Sequence, residues 1–183
     1  MEELFVVASG TLGAFQKLME EFVKNAGLDP NAIVVHKGAP LMMDDTNPWR
    51  ILSLAPLKGK SRCLEKVENE YGGDWSQLVD VIRCSIVVQT EDALESVAKA
   101  MSNSNDPRYK LVRLKNRFKD PLFNGYRDAL YSLAVKTEGI WHICEVTQHS
   151  DFYAAHMRNE LQNSALLITN TKYYLLLLTT TYY

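Results

Sequence analysis

Apolar side chains recur at helical spacing near the start of the chain, at Leu12, Phe15, Leu18, Met19, Phe22 and Val23. With Gly27 and Pro30 beyond them as a stop, they predict an amphipathic helix over residues 11–26 whose stripe faces a core. Residues 27–50 hold Pro30, Pro40, Pro48, Gly38 and the pair Asp44-Asp45. They predict an irregular connection with a short strand at Ile33-Val34-Val35. A second helix is expected over 57–71, closed by Gly72-Gly73, with Leu57, Leu64, Val67 and Tyr71 on one face and Lys58, Arg62 and Lys66 on the other.

After the glycines the pattern changes. Residues 79–88 are rich in β-branched side chains and of strand length. Thr90 then caps a helix carrying Ala93, Leu94, Val97, Ala98 and Met101 on one side. A second strand begins at 109–114, and 126–136 and 140–146 read as two more, joined at Glu138-Gly139. A last helix is expected over 150–162. This order of helices and strands predicts an α+β domain around one mixed sheet. Residues 1–50 form a helix and connection packing on the domain, 51–165 the domain itself, and 166–183 a tail of low complexity.

Composition narrows the partners. Twenty basic against 22 acidic residues leave a formal charge of −2, with 46% of residues apolar, which describes a globular chain. The balance speaks against general binding of nucleic acid or anionic membrane, so any basic site is local. Cys63, Cys84 and Cys144 are widely spaced, with no CxxC, and read as buried thiols of a reducing compartment. The first residues lack a basic signal region, and nothing reaches the ~20 apolar residues of a membrane span, so a cytoplasmic protein without membrane contact is expected.

Four features carry candidate chemistry. Lys58, Arg62 and Lys66, at i, i+4 and i+8, align three cations on one helical face, where an anionic ligand would relieve their repulsion. The alternative is a solvated face neutralised by Glu65 and Glu68. Asp80 and Glu145 each sit in an otherwise apolar strand, where a carboxylate is costly unless paired or bound to a cation. On neighbouring strands they could hold magnesium together with substrate phosphates, and otherwise they are outward charges on a half-solvated sheet. Arg113, Lys115, Arg117 and Lys119 alternate, so an extended backbone points all four one way. Tyr126, beside the Asn124-Gly125 turn, offers a ring for stacking a base. His142 lies in a strand, while His149 and His156, seven apart, could align but lack a third ligand at zinc spacing, and His149 could contact phosphate instead.

In this order and spacing the chain resembles the synthetase domain of the RelA/SpoT alarmone family. The likeness rests on Lys58 to Lys66 as a basic helix, Asp80-Val81-Ile82-Arg83 as a metal-aspartate strand, Asn124-Gly125-Tyr126-Arg127 as a turn motif, and Glu145 as a strand glutamate. It covers residues from about 56 to 160. The resemblance implies a nucleotidyltransferase-like mixed β-sheet flanked by helices. It also implies magnesium-dependent transfer of pyrophosphate from ATP to a guanine nucleotide, as in guanosine tetraphosphate synthesis. Carried over by position, Asp80 holds magnesium, and Glu145 is metal-linked or activates the acceptor hydroxyl. Lys58, Arg62 and Lys66 grip ATP phosphates, Arg83, Arg117, Lys119 and His149 complete the nucleotide contacts, and Tyr126 stacks on the acceptor base.

The sequence departs from that pattern at several contact positions. The Arg-x-Lys opening reads Pro56-Leu57-Lys58, the arginine five residues after the aspartate is Ser85, and Leu122 and Leu130 replace a lysine and a histidine of the turn. The Glu-x-Gln pair reads Glu145-Val146-Thr147, with Gln148 one step later. These changes motivate two rivals: a module that binds a nucleotide or protein without turnover, and nucleotidyl transfer to an RNA end.

Overall fold

The computed structural model describes residues 1–36, 38–43, 46–102, 105–123 and 125–150. The expected helix over 150–162 (from 151 on), His156, the tail, Asp44-Asp45 and Asn124 lie outside the described residues.

Helix α1 (Glu2–Asn25) starts nine residues before the expected one. Phe5 and Ala8 continue the stripe of Phe15, Leu18, Met19, Phe22 and Val23 into the core, and the hydroxyl of Thr11 is satisfied by donating to the Val7 carbonyl at 2.9 Å. Packing of that stripe, not intrinsic propensity, extends a helix through Gly10 and Gly13. Two short strands, β1 (Val35–His36) and β2 (Ala39–Pro40), form a hairpin within the connection. The strand expected at 33–35 is thus shifted, with Ile33 bridging to Arg50.

The main sheet contains β3 (Leu52–Leu54), β4 (Ile82–Val88), β5 (Tyr109–Asn116), β6 (Ala129–Thr137) and β7 (Ile140–Ser150), in the order β3-β4-β7-β6-β5. Only β4 and β7 run parallel, so the sheet is mixed. β3, only three residues long, was too short to show any periodicity in the sequence. β6 and β7 meet at Glu138 and Gly139, with φ of 51° and 86°. Two successive left-handed residues match the twist of the flanking strands in a two-residue hairpin.

Helix α3 (Glu91–Met101) begins where Thr90 accepts from the Ala93 amide at 3.2 Å, as expected. It lies with α1 on one face of the sheet, covering Ile82, Cys84, Leu133, Cys144 and Val146. Gln148 also points to this side. Its side chain accepts from the Tyr131 hydroxyl at 3.0 Å and donates to the Leu94 carbonyl at 2.8 Å, so each of these buried groups finds a partner. Helix α2 (Lys60–Glu70) is shorter than expected because Gly59 is extended, with φ −60° and ψ 142°. Its inner stripe is Cys63 and Val67, while Leu64 is exposed, which corrects the expected apolar face. No helix among the described residues is long and apolar enough to cross a membrane.

Candidate active site

Strand register builds the site. Arg83 on β4 stands opposite Glu145 on β7, Glu145 opposite Ser132 on β6, and Ser132 opposite Arg113 on β5. Residues directly opposite share a face, so this row of four crosses the sheet on the side that α1 and α3 leave uncovered. The period of two along β7 explains why: Cys144, Val146 and Gln148 are buried under the helices, while Glu145, Thr147 and His149 alternate with them and are only half-buried. Gln148 therefore belongs to the opposite face, and Thr147 is the residue that shares a face with Glu145.

Asp80 lies just ahead of β4 and gathers two lysines. Lys58 Nζ is 2.6 Å and Lys66 Nζ 3.0 Å from the same oxygen, Oδ2, while Oδ1 is buried and has no hydrogen-bond partner among the described residues. Lys58 reaches it from an extended segment tied to the strand lead-in, its amide donating to the Val81 carbonyl at 3.0 Å. Lys66 reaches it from α2, its ammonium 5.5 Å from the centre of the Tyr71 ring.

The electrostatics separate the two carboxyls. Burial would raise Asp80, but the bonds from Lys58 and Lys66 outweigh it and hold the group below the usual aspartate range. Glu145 is pushed up, first by burial and then by the nearby charge of Asp80, with Lys66, Lys58 and Arg113 opposing. A strongly held anion thus lies close to a carboxyl that resists ionisation.

A second cluster lies on the same face, four residues or roughly 13 Å further along β7. Arg117 clamps the fully buried Asp128 with both its Nε and its Nη2, the latter at 2.6 Å. The Tyr126 hydroxyl donates to the same carboxylate at 2.6 Å, and the guanidinium carbon stands 5.2 Å from the centre of the Tyr126 ring. His149 packs between Tyr126 and Trp49, with ring centres 6.3 and 6.2 Å away. Burial lowers His149 to about 4, so it is an uncharged aromatic group at neutral pH and not a phosphate-binding cation.

Several expectations change here. Lys58 is not on the helix, so the three cations do not form one helical row; Lys58, ahead of the extended Gly59, and Lys66, on α2, converge on Asp80. Arg62 is exposed and pairs with Glu65 at 2.6 Å, apart from the Asp80 cluster. The alternating basic row ends at Asn116, whose side chain accepts from the amides of Phe118 and Lys119 and turns Lys119 out of line. His142 and His149 fall on opposite faces of β7, which removes that pair as joint metal ligands. Asp128 and Trp49 belong to none of the sequence motifs of the site, whereas Arg113 belongs to the alternating basic row. Asp128 follows directly on Tyr126-Arg127, a signal that a buried pair for a turn cation was available.

No group of three or more His, Cys, Asp or Glu side chains gathers among the described residues. That excludes an all-protein metal cage from them. Magnesium needs no such cage, since it binds one or two carboxylates and takes its other oxygens from water and substrate phosphates. The Oδ1 of Asp80, without a hydrogen-bond partner among the described residues, and the nearby carboxyl of Glu145 are the kind of donor set such an ion relieves.

No protein-family model matches the sequence, and neither does any curated protein. Solved structures do match. The small alarmone synthetase 2 from Bacillus subtilis aligns with a TM-score of 0.64 at 13% identity, over 95% of this chain and 84% of that one. The small alarmone synthetase 1 from Bacillus subtilis bound to AMPCPP gives 0.55 at 10% identity, over 97% and 86%. The same protein bound to its product pppGpp gives 0.52 at 15%, over 67% and 66%. At these identities the likeness establishes a common fold, the one the sequence motifs implied.

Proposed function

We propose that this chain transfers pyrophosphate from ATP to the ribose hydroxyl of a second nucleotide, with guanine the first acceptor to test. The observation that carries the reading is the convergence of Lys58, Lys66 and Asp80 beside Glu145, itself set in register between Arg83 and Ser132. The aromatic and arginine cluster on the same face of the sheet adds a second subsite. Proteins of the same fold have been solved with AMPCPP and with pppGpp, which supports two nucleotide subsites here.

Lys58, Lys66 and Arg83 take the phosphates of ATP, with Arg62 one helical turn from Lys66 at the rim. Arg117, Lys119, Tyr126 and His149 form the acceptor side, where Tyr126 stacks on the base. Asp80 and Glu145 would hold magnesium, which neutralises phosphate charge when bound. Glu145, whose proton affinity burial and the charge of Asp80 raise above that of an ordinary glutamate, takes the hydroxyl proton as the ribose oxygen attacks the β-phosphorus. The bond from that phosphorus to the bridging oxygen of the α-phosphate breaks and AMP leaves. Catalysis on such a site consists of charge neutralisation and alignment of the attacking oxygen.

One observation favours a second reading, a module that binds nucleotide without turnover: both lysines already neutralise Asp80. The test is chromatography of products after incubation with magnesium, ATP and, separately, GDP, GTP, ADP or a short RNA, with Glu145→Gln as control. A pyrophosphorylated nucleotide absent from the control supports transfer and names the acceptor. Nucleotide binding with no product supports the second reading, and a nucleotide added to RNA replaces the acceptor.

A further inference from the structure

The Asp80 carboxylate is asymmetric. Two ammonium groups converge on Oδ2, at 2.6 and 3.0 Å, while the buried Oδ1 lacks a hydrogen-bond partner among the described residues. A divalent cation placed on Oδ1 would lie within a few ångströms of both ammoniums, and with little water between them the repulsion is poorly screened. The lysines and the cation therefore compete for one carboxylate. Both lysines can leave it, because each charge sits on a flexible four-carbon stem. A triphosphate offers them several anionic oxygens at once in exchange.

From this we infer that Lys58 and Lys66 lock the metal position of the free protein, and that nucleotide phosphates open it by drawing the lysines off Asp80. The cation then enters with the nucleotide and does not precede it. Lys58 and Lys66 thereby act twice, as phosphate ligands and as positioning residues that set the order of binding. The inference rests on the proposed nucleotide site, but it concerns metal binding to the protein alone and is measurable without turnover.

The probe is Mn2+, with the free ion read by electron paramagnetic resonance in titrations of the full chain without nucleotide. Lys58→Met/Lys66→Met is expected to bind one equivalent at least tenfold more tightly than the wild type, and adding Asp80→Asn to it should abolish the gain. Each single lysine variant should show an intermediate gain, which keeps the test open should the double variant melt non-cooperatively. Wild-type protein that takes up one equivalent, lost in Asp80→Asn, as tightly as the lysine variants overturns the inference. So does a folded double variant with no gain. Absence of product in the transfer assay, with the Mn2+ gain present, removes the transfer reading and leaves the lock standing.

Discussion

Glu145 stands directly opposite Arg83 across the parallel β4/β7 pair. This places a half-buried carboxyl in register between Arg83 of one neighbouring strand, whose guanidinium donates to the Asp80 carbonyl at 3.4 Å, and Ser132 of the other. Through the next strand the row reaches Arg113. The contribution of Glu145 to stability is thereby separable from its proposed role in transfer, because its charge is disfavoured in the free protein by burial and by Asp80.

Replacing Glu145 by glutamine removes that disfavoured charge at constant shape. Transfer should fall by about 100-fold or more, as expected when a general base is lost, while the melting temperature stays level or rises. A thermal melt run beside the product assay checks both. A fall in stability as large as the fall in activity would mean that the carboxyl is structural.

Asp80 should behave in the opposite way. Asp80→Asn leaves Lys58 and Lys66, at 11% and 17% side-chain exposure, without their anion. Breaking a largely buried pair of this kind lowers stability by about 3 kcal/mol. Urea denaturation measures it, and a change below about 1 kcal/mol would show that the lysines find other partners.

At the second cluster, Tyr126→Phe removes the 2.6 Å bond to Asp128 and should lower stability by about 1 kcal/mol while keeping the ring. Tyr126→Ala removes the ring as well. Acceptor affinity is then expected to fall by about tenfold, the scale of one aromatic contact, with ATP affinity less affected. Calorimetric titration of each nucleotide distinguishes the two, and an unchanged acceptor affinity would remove the stacking role.

Acid should weaken the fold through His149. Its folded value, about 4, lies below the ordinary 6.5, so as pH falls the unfolded chain takes up the proton first. The stability this neutral ring contributes is complete above pH 6.5 and is lost progressively down to pH 4, to an upper limit of about 3 kcal/mol. His149→Phe should flatten this limb of a stability-versus-pH curve. Burial lowers His142 too, and its slope in the same direction should remain. An unaltered curve for the variant would show that His149 titrates normally.

Part of the site could be read from the chain before it folded. The strand expected over 140–146 already marks Glu145 as a carboxylate among apolar neighbours, and Glu138-Gly139 already demands a hairpin. What alternation cannot reveal is where a strand stops: the Asn116 side chain captures the next amides and takes Lys119 out of the basic row. A helical repeat likewise assigned Lys58 to α2, although the extended Gly59 leaves it in the segment before the helix, tied by its amide to the Val81 carbonyl.

By itself, the sequence determined the periods, the Thr90 cap, the hairpin between β6 and β7, and the residue types able to hold phosphate and magnesium. These depend on neighbours a few positions apart, where backbone geometry and burial leave little choice. Only the tertiary structure decided that Arg83 faces Glu145, that Lys58 and Lys66 share one oxygen of Asp80, and that Tyr126, Arg117 and Asp128 close on one another beside His149. Those relationships follow from the strand order β3-β4-β7-β6-β5 and from packing between segments distant in sequence. No local pattern encodes which strand lies beside which, because the contacts that select the order form only when the core closes.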